Sequence, residues 1–380
     1  MWKVQLFELN FDNQEEEAVL EVLKSRWITM GEKTKTFEEK FGEYIGTKHL
    51  PTAVANCTAA LHMALLALEV QLGDEVIISG LTFIADANVV KMVGAKPVIA
   101  DVGSLENWNI CARTISEKIT SRTKGVILVH FGGVPCDMDE IIALCKAKNL
   151  FLIEDVAHAP GAEYKGVKCG NLGDISAFSF FTNKNISVGE GGMVIAKTEA
   201  LNNKIKHLRS HGMSSLTLDR HKGRAITYDV HSPGLNYRID EMRAALGLVQ
   251  LSKLEHANEQ RKELALHYHK LLKDLEQIRI PFLQTSHKKL AYHIYPILLP
   301  ETINREGVFN SMKEKGIQTS IHYPSFKSFS AYKEEFKQYD TPVCDNICKQ
   351  ELTLPLYPTM TMGQVEMVVE NLEKALMEQS

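Results

Sequence analysis

Between residues 50 and 200 the chain alternates two patterns. Short apolar, β-rich runs ("TAVAN", "EVIIS", "KPVIADV", "TKGVILVHF", "LFLIED", "ISAFSFF", "GGMVIAK") are separated by helical stretches such as "TAALHMALLALEV", "TFIADANVVKMV" and "MDEIIALCKAKN". Such alternation predicts an α/β fold, with a mostly parallel sheet covered by helices on both faces. Sheets of this kind take ligands beyond the carboxyl ends of their strands. Chemistry is therefore expected just after each strand.

The flanks read differently. "QEEEAVLEVLKS" and "TKTFEEKFGEYIG" predict two helices, the second with Phe37, Phe41, Tyr44 and Ile45 on one stripe and a stop at Gly46. Residues 211–235 are polar and aperiodic, and a loop of that length is expected to be functional. A long helical region, Asp240–Leu275, follows. Beyond it a smaller unit reads strand ("AYHIYPILL"), helix ("REGVFNSMKEKG"), strand ("IQTSIHY") and terminal helix ("MGQVEMVVENLEKALM"). The expected division is a large domain over 1–250 and a small one over 251–380, with the long helix joining them.

Composition narrows the class. The 380 residues are 44% hydrophobic and 24% charged, an ordinary globular balance. A net charge of −4 gives no electrostatic footprint for nucleic acid or an anionic membrane. The N-terminus has no signal-peptide pattern, and no run of about 18 apolar residues is present. Seven cysteines without a CxxC predict reduced thiols and a cytoplasmic setting. Cys344 and Cys348, four apart with only Asp345 beside them, are expected to pack rather than bind a metal.

The strand ends hold the candidate chemistry. In "AVANCTAALHM" the helix start after the strand favours an anion, and Thr58 adds a hydroxyl; Asn56 or Thr58 would serve equally as plain caps. Phe83, just past "EVIIS", suits stacking on a flat ligand and suits a core position as well. "LFLIEDVAHAPGA" ends its strand on Glu154 and Asp155, with His158 three residues on. A carboxylate at the mouth of a parallel sheet is partly desolvated and needs a cation or N–H partner; a solvated strand-end acid is the plainer alternative. "FSFFTNKNISVGEGGM" places Ser179 in a buried strand and Lys184 just after it. Lysine becomes a nucleophile when desolvation or a neighbouring cation lowers its pKa. The lysine most often used this way forms a Schiff base with pyridoxal phosphate. That cofactor needs a phosphate cup, an aromatic over its ring, a carboxylate on its pyridine nitrogen and a partner for its ring hydroxyl. Cys57 and Thr58 with Ser179, then Phe83, Asp155 and His158, supply all four. Each signal is ambiguous alone; together, after successive strands, they predict pyridoxal phosphate at Lys184.

On these residues the chain resembles the sugar aminotransferases of the DegT/DnrJ/StrS family. "NCTAALHMAL", "GDEVIISGLTFIADAN", "LIEDVAHAPGA", "GDISAFSFFTNKNISVGEGGMV", "GLNYRIDEMRAALGLVQLSKL" and "LPLYPTMT" carry the likeness in the family's order. It implies the type I pyridoxal-phosphate transferase fold: a mostly parallel seven-stranded sheet covered by helices, plus a smaller C-terminal α+β domain. It implies Lys184 as the lysine joined to the cofactor, Asp155 at the pyridine nitrogen, His158 near the ring hydroxyl and Phe83 against the ring. Cys57, Thr58 and Ser179 match phosphate-binding positions. Asn236, in "GLNYR", matches an asparagine that reaches the neighbouring subunit's phosphate, which implies a homodimer with shared active sites. The implied donor is L-glutamate and the implied acceptor a keto-sugar nucleotide. "NKNISVGEGGMV" and "DRHKGRAITYDVHSPGLNY" are most similar to members that make 4-amino sugars on UDP. Arg224 is expected to pair with a donor carboxylate or a diphosphate, and His322 and Tyr323 of "IHYP" to face the sugar. Cys57 stands where the family commonly has Gly or Ala, and "HYPSFKSF" lacks a second histidine often found there. Lys184 argues against the dehydratase branch, which has histidine at that position. A nucleotide-dependent dehydrogenase would need G-x-G-x-x-G, and "VANCTAALH" has no glycine. A non-catalytic member would be expected to lack Lys184 or Asp155. Amination of a cyclitol or other non-nucleotide ketone stays open.

Overall fold

The computed structural model describes residues 2–214, 223, 227–275, 277–283 and 285–379. Helices α1 (Asn13–Ser25) and α2 (Glu32–Ile45) precede β1 (Thr52–Val54). Then come α3 (Cys57–Ala67), β2 (Glu75–Ser79), α4 (Ala85–Met92), β3 (Lys96–Ala100), α5 (Ala112–Ser116), β4 (Thr123–Val129), α6 (Met138–Ala147) and β5 (Phe151–Asp155). A short hairpin of β6 (Glu163–Tyr164) and β7 (Val167–Lys168) leads to β8 (Ile175–Ser179), β9 (Gly192–Ala196) and α7 (Glu199–Arg209).

Seven strands form one sheet in the order β1-β9-β8-β5-β4-β2-β3. Pairings among β3, β2, β4, β5 and β8 are parallel, and β9 opposes both of its neighbours. Six strands therefore share a direction, and their carboxyl ends open on one edge. Every residue of β1, β2, β8 and β9 is buried, because helices cover both faces. Ile78, Ile127, Ile153 and Ala177 pack with α3 and α4 on one face. On the other, Ile77, Val126 and Leu152 meet α5 and α6, while Phe178 meets α2. The uniformly apolar "AALHMALLA" of α3 has no polar stripe because the helix is buried nearly all round.

One buried ion pair fixes β1 at the sheet edge. Arg209 at the end of α7 donates to Glu38 of α2 and, at 3.0 Å, to the Ala53 carbonyl, while Glu38 accepts the Ala53 N–H at 2.9 Å. Breaking such a pair leaves an uncompensated buried charge. Glu38→Ala is expected to lose ~3–5 kcal/mol of folding stability in chemical denaturation, and a loss under ~1 kcal/mol would contradict this role.

The C-terminal part begins with the uninterrupted helix Glu241–Leu272. Its first half packs on Phe37 and β9, and its second half, from Leu264, enters a separate core with Ile297, Val308, Leu352 and Leu372. A division at residue 250 falls inside this helix. β10 (Lys288–Lys289) joins the β6–β7 hairpin, and β11 (Tyr295–Leu298) pairs antiparallel with β12 (Glu351–Leu354). Helices Arg305–Glu314 and Met362–Met377 close the small core.

Two expectations here are corrected. "AYHIYPILL" is strand only over Tyr295–Leu298, and "IQTSIHY" contributes single bridges, Val4 with Ile317 and Ser320 with Thr353. The second strand is β12, which follows helix Pro342–Gln350 without an intervening residue. No turn residue marks that junction, so the pattern carries no boundary there. Cys344 and Cys348 are buried on one helix face in an apolar cluster, and all seven cysteines are free. No helix among the described residues is long and apolar enough to cross a membrane.

Candidate active site

The carboxyl edge of the sheet gathers most of the singled-out residues. Asp155 ends β5, Ser179 ends β8, Cys57 and Thr58 open α3 after β1, and Phe83 follows β2. The turn after β8 supplies Lys184. Phe178 and Phe180 point into the core against Phe41 and Phe37, with ring centroids 5.0 and 5.4 Å apart, whereas Phe181 is exposed. The loop then closes on itself: Phe180 N–H donates to Gly191 O, Val188 N–H to Phe180 O, and Lys184 N–H to Phe181 O. Asn185 staples it to Asn258 of the long helix and to the Ala291 carbonyl, each at 2.8 Å. Glu190 lies exposed at the far end, after the left-handed Gly189.

The phosphate-type cradle has a steric requirement. Asn56 caps α3 by accepting the Ala59 N–H at 2.8 Å, which leaves the outward amides of Cys57 and Thr58 outside the cap. Ser179 pairs with Gly192 across β8 and β9, and Gly192 abuts the start of α3. A Cβ there would sit 2.7 Å from Asn56 C and 2.9 Å from Cys57 N. Gly192 is thus what lets Ser179 and the helix start share one small space. Gly192→Ala is expected to cost ~1–3 kcal/mol through forced backbone shifts. It should also weaken cofactor binding in an equilibrium titration by about tenfold or more, on the same scale. Unchanged affinity would contradict the cradle.

Asp155 is buried, and its Oδ1 accepts the Ala157 N–H at 2.8 Å and faces the Cys57 thiol at 3.9 Å. Burial raises its carboxyl pKa, opposed by that amide and by Lys184. Burial and Asp155 push the Cys57 thiol well up, so it stays an S–H. Lys184 is pulled down to about 8 by burial, against Asp155 and Cys57. A half-buried amine that loses its proton near neutrality is poised as a nucleophile and a base. His158 lies beyond. Its Nδ1 accepts the Gly132 N–H at 3.2 Å, so Nε2 carries the hydrogen and donates to Tyr323 Oη at 2.9 Å. Burial, Lys184 and His322 hold His158 well below the usual imidazole range. Tyr323 stands 5.8 Å from the ring of Phe83, which is 55% exposed and offers a face to the opening.

The other predicted residues are placed less centrally. His322 is buried behind Tyr323, where its N–H meets Glu351 at 2.7 Å and its Nδ1 meets Thr353 Oγ1 at 2.8 Å. Burial takes His322 down to about 3, and takes Glu351 up to about 8. Asn236 is exposed on a segment bridged to Ser210. Arg224 lies outside the described residues. Two buried groups were missed. His293 Nε2 is 3.3 Å from Lys184 Nζ. Asp86 on α4 accepts from Thr82 Oγ1 at 2.6 Å, and burial first, then Asp155, pushes its carboxyl well above the usual carboxylate range. Asp86 is the only acid in "TFIADANVV", a signal legible in hindsight; His293 is a lone histidine in an apolar run and gives none.

Comparison with known proteins decides what this edge belongs to. Residues 10–373 match the DegT/DnrJ/EryC1/StrS aminotransferase family. The chain belongs to that family. It is 38% identical over 364 residues to the spore coat polysaccharide biosynthesis protein SpsC of Bacillus subtilis, covering 94% of this chain and 93% of SpsC. Among solved structures, Helicobacter pylori PseC, an aminotransferase involved in the biosynthesis of pseudoaminic acid, superposes with a TM-score of 0.91 at 29% identity and 99% coverage of both chains. The pyridoxal-phosphate form of the putative sugar aminotransferase Spr1654 from Streptococcus pneumoniae gives 0.89 at 26% identity, over 100% of this chain and 98% of that one.

As a sugar aminotransferase of this family, the protein uses pyridoxal phosphate. Its own residues fit that group. Gly192 keeps open a cradle between Ser179 and the α3 start, Asp155 is a buried acid with an oxygen outside its amide bond, and Phe83 presents a free ring face.

Proposed function

We propose that the chain moves an amino group from L-glutamate to a keto-sugar nucleotide, as a homodimer whose active sites are shared. One observation carries the reading: a half-buried lysine amine, lowered to about 8, stands at the same sheet edge as a buried carboxylate and an open aromatic face. The roles of SpsC and PseC, in polysaccharide and pseudoaminic acid synthesis, support a sugar acceptor. Likeness to members acting on UDP sugars supports a nucleotide carrier. Seven free thiols support a cytoplasmic setting.

Bound pyridoxal phosphate supplies an aldehyde carbon that joins amines covalently and a ring that withdraws electrons from the attached carbon. Lys184 Nζ holds it at that carbon. Cys57 and Thr58 amides with Ser179 Oγ hold the phosphate, Phe83 covers the ring, His158 sits by the ring hydroxyl and Asp155 pairs with the ring nitrogen. Asn236 reaches the partner's phosphate. With the donor bound in its place, the Lys184 amine would be free to take the proton from the donor Cα and give it back across the intervening nitrogen, two bonds away. The keto acid leaves, the ketone enters, and Lys184 moves the proton in the opposite sense. Tyr323 faces the sugar with the buried His322 behind it, and Arg224 pairs with the donor carboxylate or the diphosphate.

Two half-reactions at one lysine predict ping-pong kinetics. Purified holoenzyme should be yellow and bleach on adding L-glutamate alone, releasing one keto acid per site; no bleaching without the ketone present would overturn this order. The same amine sets a pH dependence. Cofactor attachment to cofactor-free protein should quicken about tenfold per pH unit below 8, where the unprotonated fraction grows, and level off above it.

A further inference from the structure

Lys184 has a neighbour whose state is fixed by its surroundings. His293 is buried, with Nε2 3.3 Å from Lys184 Nζ and Nδ1 2.9 Å from Asn185 Oδ1. Asn185 has one possible orientation. Its Nδ2 donates to the Ala291 carbonyl, which can only accept, and to Asn258 Oδ1, whose own Nδ2 donates to Pro160 O at 3.0 Å. Asn185 Oδ1 must therefore accept, so His293 Nδ1 carries the hydrogen. The lone pair on Nε2 then faces Lys184. Burial first, then the charges of Lys184 and Arg261, keep the ring neutral near neutral pH.

The backbone leaves this ring little freedom. His293 N–H donates to Gly132 O at 3.0 Å, and Ala291 N–H to Gly133 O at 2.9 Å. A Cβ on Gly133, at φ 90°, would meet His158 O, Tyr292 N and His293 N within 3.0 Å. The ring also packs against His158, with centroids 4.4 Å apart. Asn185 directly follows Lys184, so one short segment carries both the amine and the amide that orients its acceptor.

We propose that His293 is the positioning partner of Lys184, its Nε2 accepting an N–H from the lysine amine whenever that amine is not covalently engaged. This rests on reading Lys184 as the cofactor lysine. The amine must wait near the reacting carbon between two proton transfers, neutral in one interval and ammonium in the other. Nε2 serves both states, because each offers it an N–H. Nζ gains the donor Cα proton and later gives it up; the imidazole neither gains nor loses one. A neutral acceptor steadies the ammonium without a second negative charge beside Asp155, which keeps the proton easy to release.

Three variants test this. His293→Phe keeps a flat ring and removes the acceptor. His293→Gln places an amide oxygen near the position of Nε2. Asn185→Ala keeps the imidazole but releases Nδ1. The first readout is the pH midpoint at which Lys184 of the cofactor-free protein reacts with an amine-selective acylating reagent, followed by peptide mass spectrometry. The second is the rate of the L-glutamate half-reaction with its Cα-deuterium isotope effect. Loss of a hydrogen bond to a charged group should lower the midpoint of the Phe variant by about one pH unit and slow its half-reaction about tenfold or more, with a larger isotope effect. Gln should stay within about threefold of wild type, and Asn185→Ala should shift as Phe does but less. A wild-type midpoint and isotope effect in the Phe variant would overturn the proposal, as would equal impairment of Phe and Gln, which marks a packing role. Borohydride trapping of cofactor on wild-type Lys184 separates the two levels. Trapping there with an unmoved Phe variant removes only the role of His293; trapping elsewhere removes the parent reading and this one with it.

Discussion

Lys184→Ala is expected to give a folded, colourless protein that cannot complete a transamination cycle. The side chain lies in a turn outside the core strands, and its amine meets His293 Nε2 at 3.3 Å. Removing it therefore leaves Phe178, Phe180 and the Asn185 staple in place. Among the described residues placed at this site, none substitutes for its chemistry. Asp155 and Asp86 are acids, and His158, His293 and His322 are held neutral well below the usual range by burial. None offers an amine for attachment. Loss of a positioned proton carrier alone costs ~10²–10⁴-fold, and loss of attachment adds to it. The checks are borohydride trapping, visible absorbance and single-turnover rates. Robust turnover by this variant would falsify the assignment of Lys184.

Asp155→Asn carries the next largest effect. The change keeps shape and keeps an oxygen for the Ala157 N–H, but removes the charge. In the proposed complex that charge holds a proton on the cofactor's ring nitrogen. Burial raises the Asp155 pKa against the Ala157 amide and Lys184, and a cationic ring nitrogen would bring it down again by pairing. Truncating one partner of a buried charged pair costs ~2–5 kcal/mol, or roughly 30- to 4,000-fold in rate. The loss should fall on the half-reaction rate more than on cofactor retention, since the phosphate cradle is untouched. A variant that binds poorly but reacts normally once loaded would place Asp155 in binding rather than in the chemistry.

The legible parts of the molecule were those where one physical demand dominated. β2, β4, β5 and β8 are covered on both faces, and continuous apolar runs announce that. Parallel strands then bring Asp155, Ser179 and the α3 start to one edge without further information. What stayed hidden depended on chain crossings that local pattern does not encode. His293 is 109 positions from Lys184, and only the pairing of residues 291–293 with Gly132 and Gly133 brings it in. β12 begins where a helix ends, so its pairing with β11 had no turn to announce it. Asn236 rests on the family resemblance alone, and Arg224 on the length and charge of its loop. Asn236 is exposed and Arg224 lies outside the described residues.

The central claim concerns the acceptor. The direct test is to load the protein with pyridoxal phosphate, supply L-glutamate, and present in parallel a panel of keto-sugar nucleotides and cyclitol ketones, reading amination by product mass. Efficient conversion of at least one keto-sugar nucleotide to an amino-sugar nucleotide, with cyclitol ketones inert, is the predicted result. Amination confined to cyclitol or other non-nucleotide ketones would contradict it.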